Sequence, residues 1–309
     1  MANKKISIVI CTYNRDFILP ECIDSLIAQS ADKKNYEIIV VNNNSNDNTQ
    51  AIIDKYSSTY PNFRNVFEEK QGLSHARNRG AAEAGSEWVF YIDDDAKARP
   101  DLVSRALYII DNYNFDCFGG TYIAWWKYGQ PKWLKSINFG TKPLELSSVG
   151  VLTKENALCH GYLSGGVFCV KKNILEKMGG FSPSLGMSGD SSGYGEEILL
   201  QDQLRENGYI VGYDPTLIIE HLVADYKLKL LWHLKARYYH GRDSVTIWAD
   251  TKSKSWFYIF LKLLKDCVFN FFKLFKKEYF IQNYIIESLG PTLSNIGRKK
   301  AVRKMREKK

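Results

Sequence analysis

Trp88-Val89-Phe90-Tyr91-Ile92-Asp93-Asp94-Asp95 sets five apolar residues directly before three carboxylates. An apolar run of this length, bounded by charge, reads as a buried strand. Ending a buried strand in acids is costly. Carboxylates crowded at one strand end repel one another unless a cation neutralises them, and hard oxygen ligands suit Mg²⁺ or Mn²⁺. Taken alone, the triplet reads equally well as a solvated acidic turn.

Upstream of this strand the chain alternates strand and helix signals, which predicts an α/β fold with a mainly parallel sheet flanked by helices. Strands are expected over residues 6–11, 36–41 and 65–67, and helices over 17–29, 48–60 and 72–84. Ligands in such sheets bind beyond the carboxyl ends of the strands. Thr12-Tyr13-Asn14-Arg15, Asn42-Asn43-Asn44-Ser45 and Asp93-Asp94-Asp95 all fall at that edge. Three loops are therefore expected to converge on one crevice.

Downstream, a helix from beyond Pro100 to residue 112 and a strand over 118–123 continue the pattern, which then breaks down at Trp125-Trp126-Lys127-Tyr128-Gly129. Aromatic rings with polar tips stack on sugar faces, and they serve equally as packing. Residues 182–195 are rich in Gly and Ser and lie between a helix expected at 172–178 and the pair Glu196-Glu197. A loop of that composition beside carboxylates suits closure over a ligand. The sequence carries no internal repeat and no linker that clearly separates two domains.

With 309 residues and 45% hydrophobic content, the chain is long enough for one large α/β domain and an appendage. Its net charge of +8 is unevenly placed: residues 298–309 carry +7, 252–277 carry +6 and 278–297 carry −2, which leaves −3 on the first 251. A body of that charge offers no broad basic face to nucleic acid. The basic tail by itself fits nucleic acid, anionic lipid headgroups or simple solubility, and charge alone does not choose among them. Over residues 256–277, helical spacing collects Lys262, Lys265, Asp266, Asn270, Lys273, Lys276 and Lys277 on one arc, with Phe269 the chief intruder. Phe257, Phe260, Leu264, Phe271, Leu274 and Phe275 fall opposite. That pattern suits a helix lying in the plane of a membrane surface, and it suits equally a helix packed on the protein's own core.

The opening residues Met1-Ala2-Asn3-Lys4-Lys5 carry no long apolar segment or small-residue cleavage site, so a cytoplasmic address is expected. Cys11, Cys22, Cys117, Cys159, Cys169 and Cys267 show no CxxC pairing. Neither disulfides nor zinc are expected.

In order along the chain come Val9-Ile10-Cys11-Thr12-Tyr13-Asn14-Arg15, Ile39-Val40-Val41-Asn42-Asn43-Asn44-Ser45-Asn46-Asp47-Asn48-Thr49, Gly72-Leu73-Ser74-His75-Ala76-Arg77-Asn78-Arg79-Gly80 and Tyr91-Ile92-Asp93-Asp94-Asp95. Gly165-Gly166-Val167-Phe168, Met178-Gly179-Gly180-Phe181, Gly195-Glu196-Glu197, Leu204-Arg205-Glu206-Asn207-Gly208, Pro215 and His221 follow. The series resembles family 2 glycosyltransferases with the GT-A fold over residues 6 to about 222. Each motif is weak by itself; their order is the signal. The tail lies outside the resemblance.

The resemblance implies a GT-A body over residues 1–225, with a nucleotide-binding half over 1–115 and an acceptor half over 116–225. A helical, basic extension is expected over 226–309. Transfer of a sugar from a nucleotide-diphosphate donor, a UDP-sugar first, to a hydroxyl is implied, with inversion at the anomeric carbon. Asp93 and Asp95 would be the family's D-x-D, with Asp95, Asp93 and His221 holding Mn²⁺ or Mg²⁺. Thr12, Tyr13, Asn14, Arg15, Asn42, Asn43, Arg77, Asp93 and Asp94 would form the nucleotide side. Asn42 stands where many relatives carry Asp, and an amide donates as well as accepts. Of the acids that open a helix at 196, Glu197 would be the base. Glu-Glu replaces the family's commoner Glu-Asp, so Glu196 remains the other candidate. Trp125, Trp126, Gly165 and Gly166 would line the sugar and acceptor side. A basic membrane-facing helix would match a lipid-linked saccharide acceptor in cell-surface polysaccharide synthesis and a peripheral place on the cytoplasmic face.

Two other classes compete. A sugar-phosphate nucleotidyltransferase would begin with a Gly-rich, Arg-containing phosphate loop, which residues 11–20 lack. A non-catalytic, membrane-docked nucleotide-sugar-binding subunit has no need to retain Asp93, Asp95, Glu197 and His221 together.

Overall fold

In chain order the body contains β1 (Ile6–Thr12), α1 (Leu19–Ile27), β2 (Tyr36–Asn42), α2 (Thr49–Thr59), β3 (Phe63–Phe67), α3 (Leu73–Glu83), β4 (Trp88–Asp93) and β5 (Ala96–Ala98). It continues through α4 (Leu102–Asn112), β6 (Cys117–Trp125), β7 (Gly150–Val151), β8 (Val167–Lys171), α5 (Lys172–Lys177), α6 (Glu196–Glu206) and β9 (Val211–Leu222). The structure, a computed structural model, describes residues 4–134, 149–152, 161–189, 193–248, 250 and 252–307. Cys159 and residues 190–192 of the Gly/Ser-rich loop lie outside them.

The strands form one mixed sheet in the order β3-β2-β1-β4-β8-β6-β9-β5, with β7 paired to β9. β3, β2, β1 and β4 are parallel, as the strand-helix alternation predicts. β8 runs antiparallel to both β4 and β6, and β9 runs parallel to β6. The ends of β1, β2, β4, β6 and β9 and the start of β8 therefore share one edge. The chain leaves β1 for β2 on one side and returns to β4 on the other, which opens a crevice between the β1 and β4 ends.

Both faces of the sheet are covered, so its central strands are buried along their whole length. Side-chain alternation divides them: Ile8, Ile10, Ile38, Val40, Phe90 and Ile92 join Leu19, Ile23, Val103 and Ile109 in one core. Val9, Ile39, Val41, Val89 and Tyr91 join Ala76, Phe181, Leu200 and Leu204 in the other.

The described residues divide into two compact units. One groups residues 1–125, 140–184 and 196–222; the other groups 126–139, 185–195 and 223–309. The sequence reading sets a boundary at 225/226, whereas the division falls after Leu222. There β9 makes its last pairing, and the Leu222 N–H donates to Asp95 O at 2.9 Å.

The second unit holds α7 (Leu230–Ile247), α8 (Trp256–Phe271) and α9 (Ile281–Glu307). α7 and α9 touch backbone to backbone, because a Cβ on Gly241 would lie 2.6 Å from Ser294 Cα, and one on Gly297 would overlap Tyr238 O. Ser255 caps α8, its hydroxyl accepting from Tyr258 N–H at 3.1 Å. The helix expected over 256–277 ends earlier, at Phe271, and a 3₁₀ turn over Phe272–Phe275 follows. No glycine follows to cap the helix: the Phe272 N–H at its end donates to Asn270 O, and the 3₁₀ turn is closed by Lys276 N–H donating to Lys273 O at 2.9 Å.

Candidate active site

Side chains stitch the loops after β1 and β2 together. Asn14 and Asn44 adopt left-handed backbone conformations at φ 53° and 60°, which Asn tolerates better than most residues. The Asn14 N–H donates to Ser45 Oγ at 3.0 Å, and Asn14 Oδ1 accepts from Asn46 N–H at 2.9 Å. The Arg15 N–H donates to Thr49 Oγ1 at 3.1 Å. Buried Asn42 donates to Gln50 Oε1 at 2.6 Å and accepts from Ser45 N–H at 3.0 Å. Asn43 donates to Lys70 O at 2.7 Å and accepts from Gly72 N–H at 2.8 Å, tying the β2 loop to the start of α3. Thr12 is buried and Tyr13 half-buried in the same cluster.

At the end of β4 the acids separate. His221, in β9, is flanked by Ala96 of β5 and Ala124 of β6. Its Nε2 lies 3.2 Å from both Asp93 Oδ2 and Asp95 Oδ1. One donor atom from each of the three side chains falls within 4.8 Å of the others. Nδ1 lies 3.1 Å from Leu222 O, a backbone carbonyl that can accept its N–H, and this contact orients the ring so that Nε2 faces the carboxylates. Tyr122 stands beside the imidazole with ring centroids 5.5 Å apart. Asp94 lies outside this group, its Oδ1 3.7 Å from Arg15 Nε. Burial pushes the Asp94 carboxyl up to about 7, with Arg15 opposing and Asp95 reinforcing the rise.

Arg77 of α3 is buried between Tyr91 and Phe181, with its guanidinium carbon 5.9 and 5.2 Å from the ring centroids. Arg77, which the resemblance sets on the nucleotide side, pairs with acids: Nη1 bonds Glu196 Oε1 at 2.7 Å and Nη2 lies 3.6 Å from Asp93 Oδ1. Burial works to lower the Arg77 pKa, but Glu196, Asp93 and Glu197 outweigh it and raise the value. Glu196 is buried in that pair, whereas half-buried Glu197 makes no ion pair with a described residue. Burial and then the Glu196 charge push the Glu197 carboxyl up to about 8, with Arg77 partly opposing them.

Gly165 and Gly166 sit where no side chain fits. A Cβ on Gly165 would lie 2.6 Å from Arg77 Nη2, and one on Gly166 would lie 2.9 Å from Asp93 Cγ. Asp93, Asp95, His221, Arg77, Glu196 and the two glycines are thus brought together at one sheet edge. Trp125 ends β6 with Lys97 Nζ 3.7 Å from its ring centroid, and Trp126 groups with the helical unit. Ser45 and Thr49 enter the sequence reading only as parts of the cluster and motif after β2, and Gln50 and Tyr122 are not distinguished by it. Ser45 to Gln50 follow the Asn run that reasoning did select, whereas no spacing rule links Tyr122 to His221.

The family model described as glycosyl transferase family 2 matches residues 7–167. Among curated relatives, the putative glycosyltransferase EpsH of Bacillus subtilis (strain 168) is 33% identical over 107 residues. That match covers 35% of this chain and 30% of EpsH. Among solved structures, the mannosyltransferase PcManGT from Pyrobaculum calidifontis, in complex with GDP-Man and Mn²⁺, aligns with a TM-score of 0.60 at 15% identity. It covers 99% of this chain and 75% of that one. Residues 1–349 of S. aureus TarS, in complex with UDP-GlcNAc, align with a TM-score of 0.60 at 16% identity, covering 99% and 92%. At such identities the likeness is one of fold.

Proposed function

This chain belongs to glycosyl transferase family 2 and is a glycosyltransferase with a GT-A fold, and we propose that it is a metal-dependent inverting enzyme using a nucleotide-diphosphate sugar, UDP-sugars first. The proposed acceptor is a hydroxyl of a saccharide or lipid-linked saccharide in cell-surface polysaccharide synthesis, met on the cytoplasmic face of a membrane. The observation that carries the reading is the gathering of Asp93, Asp95 and His221 donor atoms within 4.8 Å, beside an Arg77–Glu196 pair.

Two carboxylates and an imidazole whose Nδ1 is already held fit Mn²⁺ well, and the carboxylates fit Mg²⁺. Such an ion, when bound, supplies positive charge against the departing diphosphate. Arg77 adds a fixed charge beside Asp93 and occupies Glu196, which leaves Glu197 as the base that takes the acceptor proton. Thr12, Tyr13, Asn14, Arg15, Asn42, Asn43 and Asp94 make the nucleotide side, a cradle whose shape is fixed by its own hydrogen bonds. Arg77 serves that side through Asp93. The Trp125 ring and the backbone at Gly165 and Gly166 make the sugar side.

Calorimetric titration of UDP in Mn²⁺, then in EDTA, tests this reading on the parent and on Asp95→Ala. Binding by the parent in Mn²⁺ that disappears with EDTA and with Asp95→Ala is expected. The two solved structures above hold different bases, so GDP, dTDP and CDP are titrated alongside. Failure of the parent to bind any of the four in Mn²⁺ overturns the proposal.

A further inference from the structure

The spacing of Phe257, Phe260, Leu261, Leu264, Val268 and Phe271 draws one continuous stripe down α8, and these six side chains are between 47% and 71% exposed. Phe272 and Phe275 extend the apolar surface through the 3₁₀ turn. The side of α8 turned inward carries Ile259 and Asn270, only 3% and 4% exposed, and Asn270 Nδ2 donates to Ser288 Oγ of α9 at 3.3 Å. Asp266, on the same polar arc as Asn270, is held by Lys262 Nζ at 3.0 Å. The amphipathic pattern is therefore turned inside out for a helix in water, with part of its polar arc against α9 and its aromatic stripe outward.

We propose that this stripe is a docking surface for an anionic lipid bilayer, with α8 lying in the membrane plane and its rings below the headgroups. Charge selects that occupant. Lys254, Lys265, Lys276 and Lys277 are exposed around the stripe, and residues 252–277 carry +6. Lysines at headgroup height meet lipid phosphates while aromatic and aliphatic side chains enter the acyl boundary. A second copy seated on the same stripe would bring lysine against lysine. No helix among the described residues is long and apolar enough to cross a membrane, which fits surface attachment. The proposal sharpens the membrane-side acceptor reading above but rests on the surface of the helical unit, so nucleotide binding and lipid binding succeed or fail separately.

Co-sedimentation of the full chain with phosphatidylcholine vesicles, with and without phosphatidylglycerol, at low and high salt tests it. The parent is expected to pellet with the phosphatidylglycerol vesicles at low salt and to be released at high salt. The exposed pair Phe260→Gln/Phe271→Gln should weaken partitioning about tenfold or more, since each removes a ring from the acyl boundary. Lys276→Glu/Lys277→Glu should weaken it at low salt. Titration of UDP in Mn²⁺ on the same variants should match the parent, which checks that they fold. A parent that stays in the supernatant with anionic vesicles at low salt overturns the proposal. So does unaltered pelleting of the Phe variant, or a solution dimer that the Phe substitutions abolish.

Discussion

Glu196 and Glu197 are neighbours of identical chemistry, and what separates them lies 119 positions upstream, in the Arg77 guanidinium that bonds Glu196 alone. No rule of spacing reaches across that distance: the resemblance favours Glu197 and keeps Glu196 as the other candidate, and in the structure the two differ by a single buried ion pair. The same holds for Arg77, whose surroundings in α3 resemble those of a surface arginine until the fold buries it. Asp93 and Asp95 were readable because charge directly follows an apolar strand. Glu197→Gln should lower kcat by about 10²–10⁴ while leaving UDP affinity in Mn²⁺ near that of the parent. With the Glu197 carboxyl pushed up to about 8, kcat/KM of the parent should rise with pH through that region, because the base acts only when deprotonated. Stability should run the other way. Between the ordinary value of 4.5 and about 8 the folded state holds a proton that the unfolded chain has released, so raising pH across that window weakens the fold. The Tm of Glu197→Gln should therefore gain on the parent as pH rises through the window. A Tm difference that stays constant would remove burial of this charge as the cause.

Among elements, strands were the most legible and helix orientation the least. β1, β2 and β4 announced themselves by apolar runs closed with polar clusters, and the crevice at their ends follows from their parallel order. For α8 the sequence supplies two faces and no means of telling which one packs, because the choice depends on Ser288 and its neighbours in α9. α9 itself runs straight through Gly290-Pro291, a pair that ordinarily marks a helix end. Gly290 sits against the Arg237 stem, 3.2 Å from where a Cβ would lie, so its smallness serves packing there. The α7–α9 crossing rests on backbone approach at Gly241 and Gly297. Gly241→Ala places a methyl 2.6 Å from Ser294 Cα, and backbone cannot swing aside as a side chain can. A loss of about 1–3 kcal/mol is expected, read as a lower Tm in thermal unfolding. Gly166→Ala applies the same test at the sheet edge. Its methyl would displace the Asp93 carboxylate, so Mn²⁺-dependent UDP binding should fall while far-ultraviolet circular dichroism stays that of the parent. Undiminished binding would mean that Asp93 is dispensable for the cation.

Over the whole molecule, charge is unevenly divided along the chain. The first 251 residues carry −3 and include the sheet with its gathered acids, while the basic residues concentrate beyond them, around α8 and at the end of α9. Donor binding and membrane attachment should then respond to salt in different ways. Attraction between exposed lysines and lipid phosphates is screened over about 10 Å at 0.1 M salt and about 3 Å at 1 M. The buried Arg77–Glu196 pair and buried Asp95 are screened far less, and part-buried Asp93 and His221 less than the exposed lysines. Raising salt should therefore increase the apparent KM for a lipid-linked acceptor presented in anionic vesicles and leave unchanged the KM for the nucleotide sugar measured by its slow hydrolysis in the absence of vesicles. Substituting Phe260 and Phe271 by Gln should impose a comparable acceptor defect even at low salt. If both KM values rise together with salt, the lysine surface is acting on the donor and not on a membrane. If neither rises, the acceptor reaches the enzyme from solution and the outward stripe of α8 has no part in presenting it.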